Sequence, residues 1–154
     1  MPTSLLSVPH HKQSHIGACL PACAWMVLAY LGYSTSEVEL ARRLGTQPYG
    51  TPAPNLQRLE SLGFLVTYES VTLTTLRANL AAGIPCLVFV RTGDLPYWNE
   101  NTSHVLVAIG MDDETLHVND PAFDDAPKTI PLDYFLLAWS EFDHRCATIQ
   151  RKAS

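Results

Sequence analysis

The apolar residues of this chain change their spacing at Gly83, and that change most narrows the choice of fold. Before Gly83, apolar residues recur at intervals of three and four, as in the segment CLPACAWMVLAYLG that begins at Cys19, and this pattern predicts helices. After Gly83, short apolar runs such as IPCLVFVR and HVLVAIGM are bounded by turn residues and predict strands. Helices followed by antiparallel strands predict an α+β fold.

Further elements follow from the same patterns. Three more helices are predicted at SEVELARRLG, APNLQRLESLG and TLTTLRANLAAG, and a short one at LDYFLLAW. The other predicted strands are FLVTYESV, TLHVND, PKTIPL and CATIQR, and SLLSVPHHKQ is expected to hold a short extended piece. A chain of 154 residues fits a single domain, here residues 1–154, whose core needs neither a metal nor a disulfide.

Charge and hydropathy exclude several classes of partner. The net charge is −5 and the ten basic residues are scattered, so we expect binding neither to nucleic acid nor to an anionic membrane surface. No apolar run approaches the roughly 20 residues of a membrane span, and the N-terminus lacks the features of a signal peptide. We therefore expect a cytoplasmic protein without a cofactor, whose four cysteines remain thiols.

Cys19 and Cys23 at the start of the first predicted helix admit several interpretations. His15, Cys19 and Cys23 are spaced by four, but a structural zinc site usually has a second short pair of ligands, and Cys86 and Cys146 are isolated. A disulfide within one helical turn would be strained. Core packing suits Cys23, Cys86 and Cys146. Cys19 lies where the helix dipole favours a thiolate, so we predict that it is a nucleophile.

A nucleophilic thiol needs a base, and His104 is the best candidate. It stands between a long polar loop and an apolar strand, where its ring can reach a cleft while its backbone is fixed. Asp120 ends the strand that a tight turn brings back beside His104, so its carboxylate can orient the imidazole. Ordinary surface or hydrogen-bonded positions are expected for the other histidines, which are His10, His11, His15, His117 and His144.

Gln13 and Trp98 complete the set of candidate residues. Gln13 precedes Cys19 by six positions, and its side-chain amide together with the backbone N–H of Cys19 could stabilise an oxyanion. Trp98 lies in the loop DLPYWNEN before His104. It is either a wall of the substrate groove or a half-buried aromatic residue of a surface loop, and the second interpretation is favoured.

Taken together, these motifs resemble those of the papain-like double-glycine leader peptidases. These are the cysteine protease domains of many bacteriocin-exporting ABC transporters, and they also occur as free-standing enzymes. The register of that family is matched by Gln13, Cys19, Ala22, Cys23, Met26, Tyr30 and Gly32, by SHVLVAIG at His104, and by Asp120, Pro121 and Ala122. The likeness covers nearly the whole chain. It departs at Ala18 and Leu20, where the family often has Asp and usually has Gly.

The resemblance implies a papain-like fold and a thiol protease in which Cys19, His104, Asp120 and Gln13 are the catalytic residues. It also implies hydrolysis of a peptide or protein substrate after small residues such as Gly-Gly, as in bacteriocin processing. No transporter follows in this chain, so an exporter would be a separate partner. Two alternatives remain open: an acyltransferase, deamidase or toxin that uses the same triad, and a non-catalytic module that binds leader peptides.

Overall fold

One six-stranded antiparallel sheet organises the computed structural model, which describes residues 4–153. The strands are β1 (Phe64–Ser70), β2 (Cys86–Arg91), β3 (Ser103–Met111), β4 (Thr115–Asn119), β5 (Lys128–Pro131) and β6 (Arg145–Arg151). Their order across the sheet is β1-β6-β2-β3-β4-β5. The last strand of the chain therefore inserts between the first two, while β2 to β5 follow the chain order.

Helices pack on both faces of this sheet. They are α1 (Cys19–Tyr30), α2 (Glu37–Leu44), α3 (Leu73–Ala81) and α4 (Leu132–Ser140). Segments of 3₁₀ helix cover Ile16–Ala18, Ala53–Leu62 and Thr92–Asp94. The prediction of an α+β fold is thus confirmed. The segment APNLQRLESLG is helical as expected but has the tighter 3₁₀ form.

Local sequence signals account for the ends of α2. At its start, the Ser36 hydroxyl accepts a hydrogen bond from the backbone N–H of Glu39, as a helix N-cap does. At the other end, Gly45 adopts a left-handed conformation with φ of 71°, which a residue without a side chain adopts easily. These caps fix where the following loop toward Tyr49 begins.

Alternating side chains divide the sheet between two apolar cores. On β2, Leu87 and Phe89 pack with α1 and α2, whereas Val88 and Val90 pack with α3 and α4. Strand β3 alternates in the same way. A sheet covered on both faces explains why the strands read as continuous apolar runs rather than as an alternation of apolar and polar residues.

The first helix is buried along most of its length. Its fully buried residues include Leu28 and Met26, and it packs against β3 in the first of the two cores. Such burial holds the start of the helix in a fixed place against the sheet. Among residues 4–153, no helix is long and apolar enough to cross a membrane.

Candidate active site

Cys19 is the first residue of α1 and follows directly on the 3₁₀ turn Ile16–Ala18. Its side chain is half-buried, and it is one of the residues that line a pocket of about 430 Å³. The backbone N–H groups at the start of a helix are free of intrahelical partners and carry a partial positive charge. The structure therefore places this thiol at the free N–H groups of a helix start, where a ligand in the pocket can reach it.

The other three cysteines are buried, as expected for core residues. Burial, with added contributions from Cys19 and Asp120, raises the pKa of Cys23, and its thiol donates a hydrogen bond to the carbonyl of Val105 at 3.5 Å. A hydrogen bond to Cys86, together with burial, raises the pKa of Cys146. Cys19 is thus the accessible thiol of the four.

His104 and Asp120 meet at the end of two paired strands. The register pairs Val107 of β3 with Asn119 of β4, which sets Asp120 two residues away from His104 on the neighbouring strand. The Nε2–H of His104 donates a hydrogen bond of 2.7 Å to Oδ1 of Asp120. Both side chains are buried, and His104 shares the pocket with Cys19. The predicted contact between His104 and Asp120 is therefore present.

The charges of this pair are set by competing effects. Burial alone would lower the pKa of His104, but its hydrogen bonds to Asp120 and Cys19 and the charges of both raise that pKa to about 9. Burial would likewise raise the pKa of Asp120, yet the hydrogen bond and charge of His104 keep it below the usual range. At neutral pH the pair is therefore an imidazolium and a carboxylate.

Three further donors surround the carboxylate of Asp120. The Tyr97 hydroxyl and the Trp98 indole N–H donate to Oδ2 at 2.8 and 2.9 Å, and the backbone N–H of Ala122 donates to Oδ1 at 2.9 Å. Trp98 is half-buried in its loop, as expected. It does not line the pocket beside Cys19, and it contacts the side chain of Asp120. The sequence offered one signal for this role, because the polar atoms of buried Tyr and Trp usually find a partner.

Gln13 is held beside the same loop. Its backbone N–H donates to the carbonyl of Pro121 at 2.7 Å, directly after Asp120. Its side-chain amide donates to the carbonyls of His15 and Ile16 at 3.0 and 3.3 Å. In this conformation the amide hydrogens of Gln13 are directed at its own loop.

The segment before Gln13 is extended and fastened to the neighbouring strands. Leu6 donates through its backbone N–H to the carbonyl of Ile109 at 2.9 Å, and the Asn119 side chain donates to the carbonyl of Val8 at 3.0 Å. His10 donates to the carbonyl of Phe123 at 2.7 Å. These contacts fix the path of the chain toward Gln13.

Two of the histidines expected at the surface have structural partners. His10 is half-buried against the loop after β4. His11 bonds to Glu37 at 3.0 Å and its ring lies 4.7 Å from that of Trp25. His15 is exposed. Within the described part of the chain, no three His, Cys, Asp or Glu side chains are grouped so that they could hold a metal ion.

The pocket beside Cys19 is mostly apolar. Its floor and walls include the aromatic rings of Tyr68, Phe89 and Phe142, together with Leu20 and the loop 49–54. Leu20 is 2% exposed, so its side chain packs into the core and the pocket wall. The departure from the family pattern at this position therefore leaves the sulfur of Cys19 within reach of the pocket.

Known structures resemble this fold along almost its full length. A protein described as a C39-like peptidase from Bacillus anthracis superposes with a TM-score of 0.82 at 18% identity and covers 100% of both chains. A double-glycine-motif protease from an AMS/PCAT transporter, solved with its leader peptide, superposes with a TM-score of 0.77 at 20% identity. The match covers 97% of this chain and 95% of that protein's chain. The peptidase domain of Streptococcus ComA, a bifunctional ABC transporter of a quorum-sensing pathway, superposes with a TM-score of 0.76 at 19% identity. The match covers 93% of this chain and 98% of that domain.

Comparison with curated protein sequences finds no match. The model of one protein family, however, matches residues 5–147, which is nearly the whole chain. The match spans the start of α1 as well as the strands that carry His104 and Asp120. The chain therefore belongs to the Peptidase_C39 like family and is a cysteine peptidase.

Proposed function

We propose that the chain hydrolyses peptide bonds through a triad of Cys19, His104 and Asp120. The observation that carries this proposal is the 2.7 Å hydrogen bond between His104 and Asp120 at a pocket that His104 shares with Cys19. With its pKa raised to about 9, His104 is an imidazolium at neutral pH. A positive charge beside a thiol at the start of a helix favours the thiolate, which is the reactive form.

The reaction then proceeds in two halves. The Cys19 thiolate attacks the carbonyl carbon of the substrate, and the imidazolium of His104 gives its proton to the amine that leaves. A thioester between Cys19 and the first product remains. His104, now neutral, takes a proton from water, which attacks the thioester; the carboxylic acid leaves, and the Cys19 thiolate and the His104 imidazolium are restored. Asp120 keeps the ring orientation and the tautomer fixed in both halves.

The oxyanion formed in each half needs donors at a fixed distance. We assign these to the backbone N–H of Cys19 and the side-chain amide of Gln13. Because the bond from Gln13 to the Ile16 carbonyl is the longer of its two, at 3.3 Å, one N–H can turn from Ile16 toward the substrate. Replacing Gln13 by Ala should then lower kcat by about 10²- to 10³-fold with little change in KM.

The substrate we propose is a peptide or protein cut after small residues such as Gly-Gly. This preference is supported by the family and by the related double-glycine protease that was solved with its leader peptide. The apolar pocket lined by Tyr68, Phe89 and Phe142 would hold an apolar side chain near the scissile bond. If the substrate is a leader-bearing precursor, a separate exporter would take up the product.

Mass spectrometry of peptide mixtures tests this function. The native chain should generate new termini after Gly-Gly, and Cys19→Ala should generate none. Cys23→Ala is the matched control, because it removes a buried thiol one helical turn away and should cleave like the native chain. New termini that persist in Cys19→Ala would refute the role of Cys19.

The same experiment separates the alternative reactions. Intact peptides that gain the mass of a transferred group, or that change by the mass of a deamidation, would indicate transfer or deamidation through the same thioester. Peptides that bind but remain unchanged would indicate a module that only recognises leaders. The complete His104–Asp120 pair favours catalysis over a module that only binds, and the match to a peptidase family favours hydrolysis over transfer or deamidation.

A further inference from the structure

We propose that the Tyr97 hydroxyl and the Trp98 indole are positioning residues for this peptidase, because they hold the second carboxylate oxygen of Asp120 while its first oxygen aligns His104. The inference rests on the proposed triad and extends it into the loop between β2 and β3. Neither side chain touches the reacting atoms in this arrangement. Tyr97 acts through Asp120, and Trp98 acts through Asp120 and through its contact with the ring of His104.

The geometry around Asp120 leaves its carboxylate little freedom. Oδ1 accepts from His104 and from the backbone N–H of Ala122, and Oδ2 accepts from Tyr97 at 2.8 Å and from Trp98 at 2.9 Å. A carboxylate has about four acceptor sites, so these four donors occupy all of them. Asp120 is 0% exposed, so water cannot replace a lost donor. Rotation of the carboxylate would break hydrogen bonds on both oxygens.

Trp98 also contacts the ring that Asp120 aligns. Its ring and that of His104 lie edge to face, with centroids 4.9 Å apart and an angle of 62° between the planes. Such an arrangement is favourable between a ring edge and a ring face. Trp98 therefore holds Asp120 through its indole N–H and limits the tilt of the His104 ring through its own ring.

The loop that carries Tyr97 and Trp98 is fastened at its base. Thr92 is buried, and its hydroxyl donates to the carbonyl of Glu100 at 2.6 Å and accepts from the N–H of Thr102 at 2.9 Å. A Cβ on Gly93 would lie 2.7 Å from the Asn101 side chain, so the two sides of the loop are in close contact. The positions of the two aromatic donors are thus defined by the loop itself.

Several titratable groups face this cluster from the elements packed around it. His104 and Tyr97 bond to Asp120, Cys19 bonds to His104, and Asp120 acts on the charge of Cys23. Lys128 lies over the rings of Tyr97 and Phe123 and pairs with Asp125, and His10 bonds to the carbonyl of Phe123. Burial and the charge of Asp120 raise the pKa of Tyr97, so its hydroxyl stays protonated and donates. Replacing Tyr97 or Trp98 by Phe therefore removes one donor and changes no charge.

The test is the pH dependence of Cys19 alkylation by iodoacetamide, followed by mass spectrometry of the Cys19 peptide. In the native chain, alkylation should stay fast at acidic pH, because the imidazolium of His104 stabilises the thiolate. In Tyr97→Phe and in Trp98→Phe, Asp120 is looser and more easily protonated, so the acidic limb should move up by about one pH unit. On a peptide that the native chain cleaves, kcat should fall about tenfold or more with KM within about twofold.

A matched control separates positioning from packing. Phe123 packs edge to face on both aromatic rings, at 5.3 Å from Tyr97 and 5.5 Å from Trp98, but its side chain donates no hydrogen bond. Phe123→Leu should lower the Tm and leave the alkylation profile in place. The inference is overturned if both donor variants keep the native profile, or if Phe123→Leu shifts it equally.

Failure of the triad itself would look different. If Cys19 of the native chain is alkylated no faster than a free thiol at acidic pH, the proposed function fails and this inference fails with it. If the native chain shows the fast acidic reaction and Tyr97→Phe and Trp98→Phe show it equally, only the role of the two donors is refuted. The two variants are independent, so misfolding of one leaves the other to decide.

Discussion

Replacing Asp120 by Asn is the sharpest perturbation of this site, because it keeps the shape of the side chain and removes two features at once. It removes the negative charge, and it turns one acceptor oxygen into an NH₂ group that only donates. Four donors converge on the native carboxylate, two on each oxygen. Whichever way the amide of Asn lies, its NH₂ group faces two of those donors.

Each orientation of the amide has a definite cost. If the NH₂ group faces His104, the ring must accept at Nε2, so its proton moves to Nδ1 and the tautomer is inverted, while the N–H of Ala122 is left unpaired. If the NH₂ group faces the other side, the Tyr97 hydroxyl can turn and accept, but the indole N–H of Trp98 cannot. A buried donor without a partner costs about 1–3 kcal/mol.

Loss of the negative charge of Asp120 costs a similar amount of free energy. The pKa of His104 is raised from 6.5 to about 9, and the hydrogen bond to Asp120 is the largest contribution to that increase. An increase of this size favours the imidazolium by about 3 kcal/mol. Without the carboxylate, burial dominates and the pKa of His104 should fall below 6.5. We therefore expect kcat to fall by about 10²- to 10⁴-fold without being abolished.

Cleavage of one peptide over a range of pH, with ¹⁵N NMR of the histidine rings, measures both effects. Asp120→Asn should show a lower His104 pKa and a reduced kcat at every pH. Asp124→Asn is the control, because that carboxylate is 86% exposed and pairs with Lys12 at the surface. If Asp120→Asn matches the native chain in kcat and in the titration of His104 over the whole range, the assignment of the triad is wrong.

Three further predictions concern the start of the first helix and the charge of the histidine. A Cβ on Gly17 would lie too close to the carbonyl oxygen of Pro48, so Gly17→Ala should lower the free energy of unfolding in urea by about 1–3 kcal/mol. The control is Ile16→Ala at a 91% exposed position, which should change that free energy by less than about 0.5 kcal/mol. His104 retains its proton up to pH of about 9 in the folded chain, against a pKa of 6.5 when unfolded, so its stabilising effect is complete below pH 6.5 and disappears as the pH rises through about 9. Urea titrations at about pH 6, 8 and 10 should show a loss of about 3 kcal/mol that is absent in His104→Gln. At about pH 5, iodoacetamide should modify Cys19 at least tenfold faster than a free thiol, and equal rates would refute an activated thiolate.

Much of the site could be predicted because its residues lie at ends of elements that the sequence marks clearly. The helix from Cys19, the strand from His104 and the turn that returns the chain to Asp120 depend on local patterns of apolar and turn residues. Pairing of consecutive strands by a tight turn then brings His104 and Asp120 together. These steps need no knowledge of distant contacts.

The remaining features depend on contacts that no local pattern encodes. The insertion of β6 between β1 and β2 joins strands far apart in the chain, and the sequence does not state which edges pair. The direction of the Tyr97 hydroxyl depends on how the whole loop folds back onto Asp120. The NH₂ group of Gln13 donates within its own loop while Oε1 is buried without a partner in residues 4–153, a choice between competing acceptors that residue spacing cannot decide.

The long separation along the chain of the residues proposed as the triad has a consequence for synthesis of the protein. Cys19 leaves the ribosome 101 residues before Asp120, and the donors that hold Asp120 come from a third region. Until β3 and β4 have paired, the sulfur of Cys19 has neither the imidazolium of His104 nor the carboxylate of Asp120 nearby. Under the proposed mechanism, the chain therefore gains peptidase activity only once these two strands of the sheet have formed.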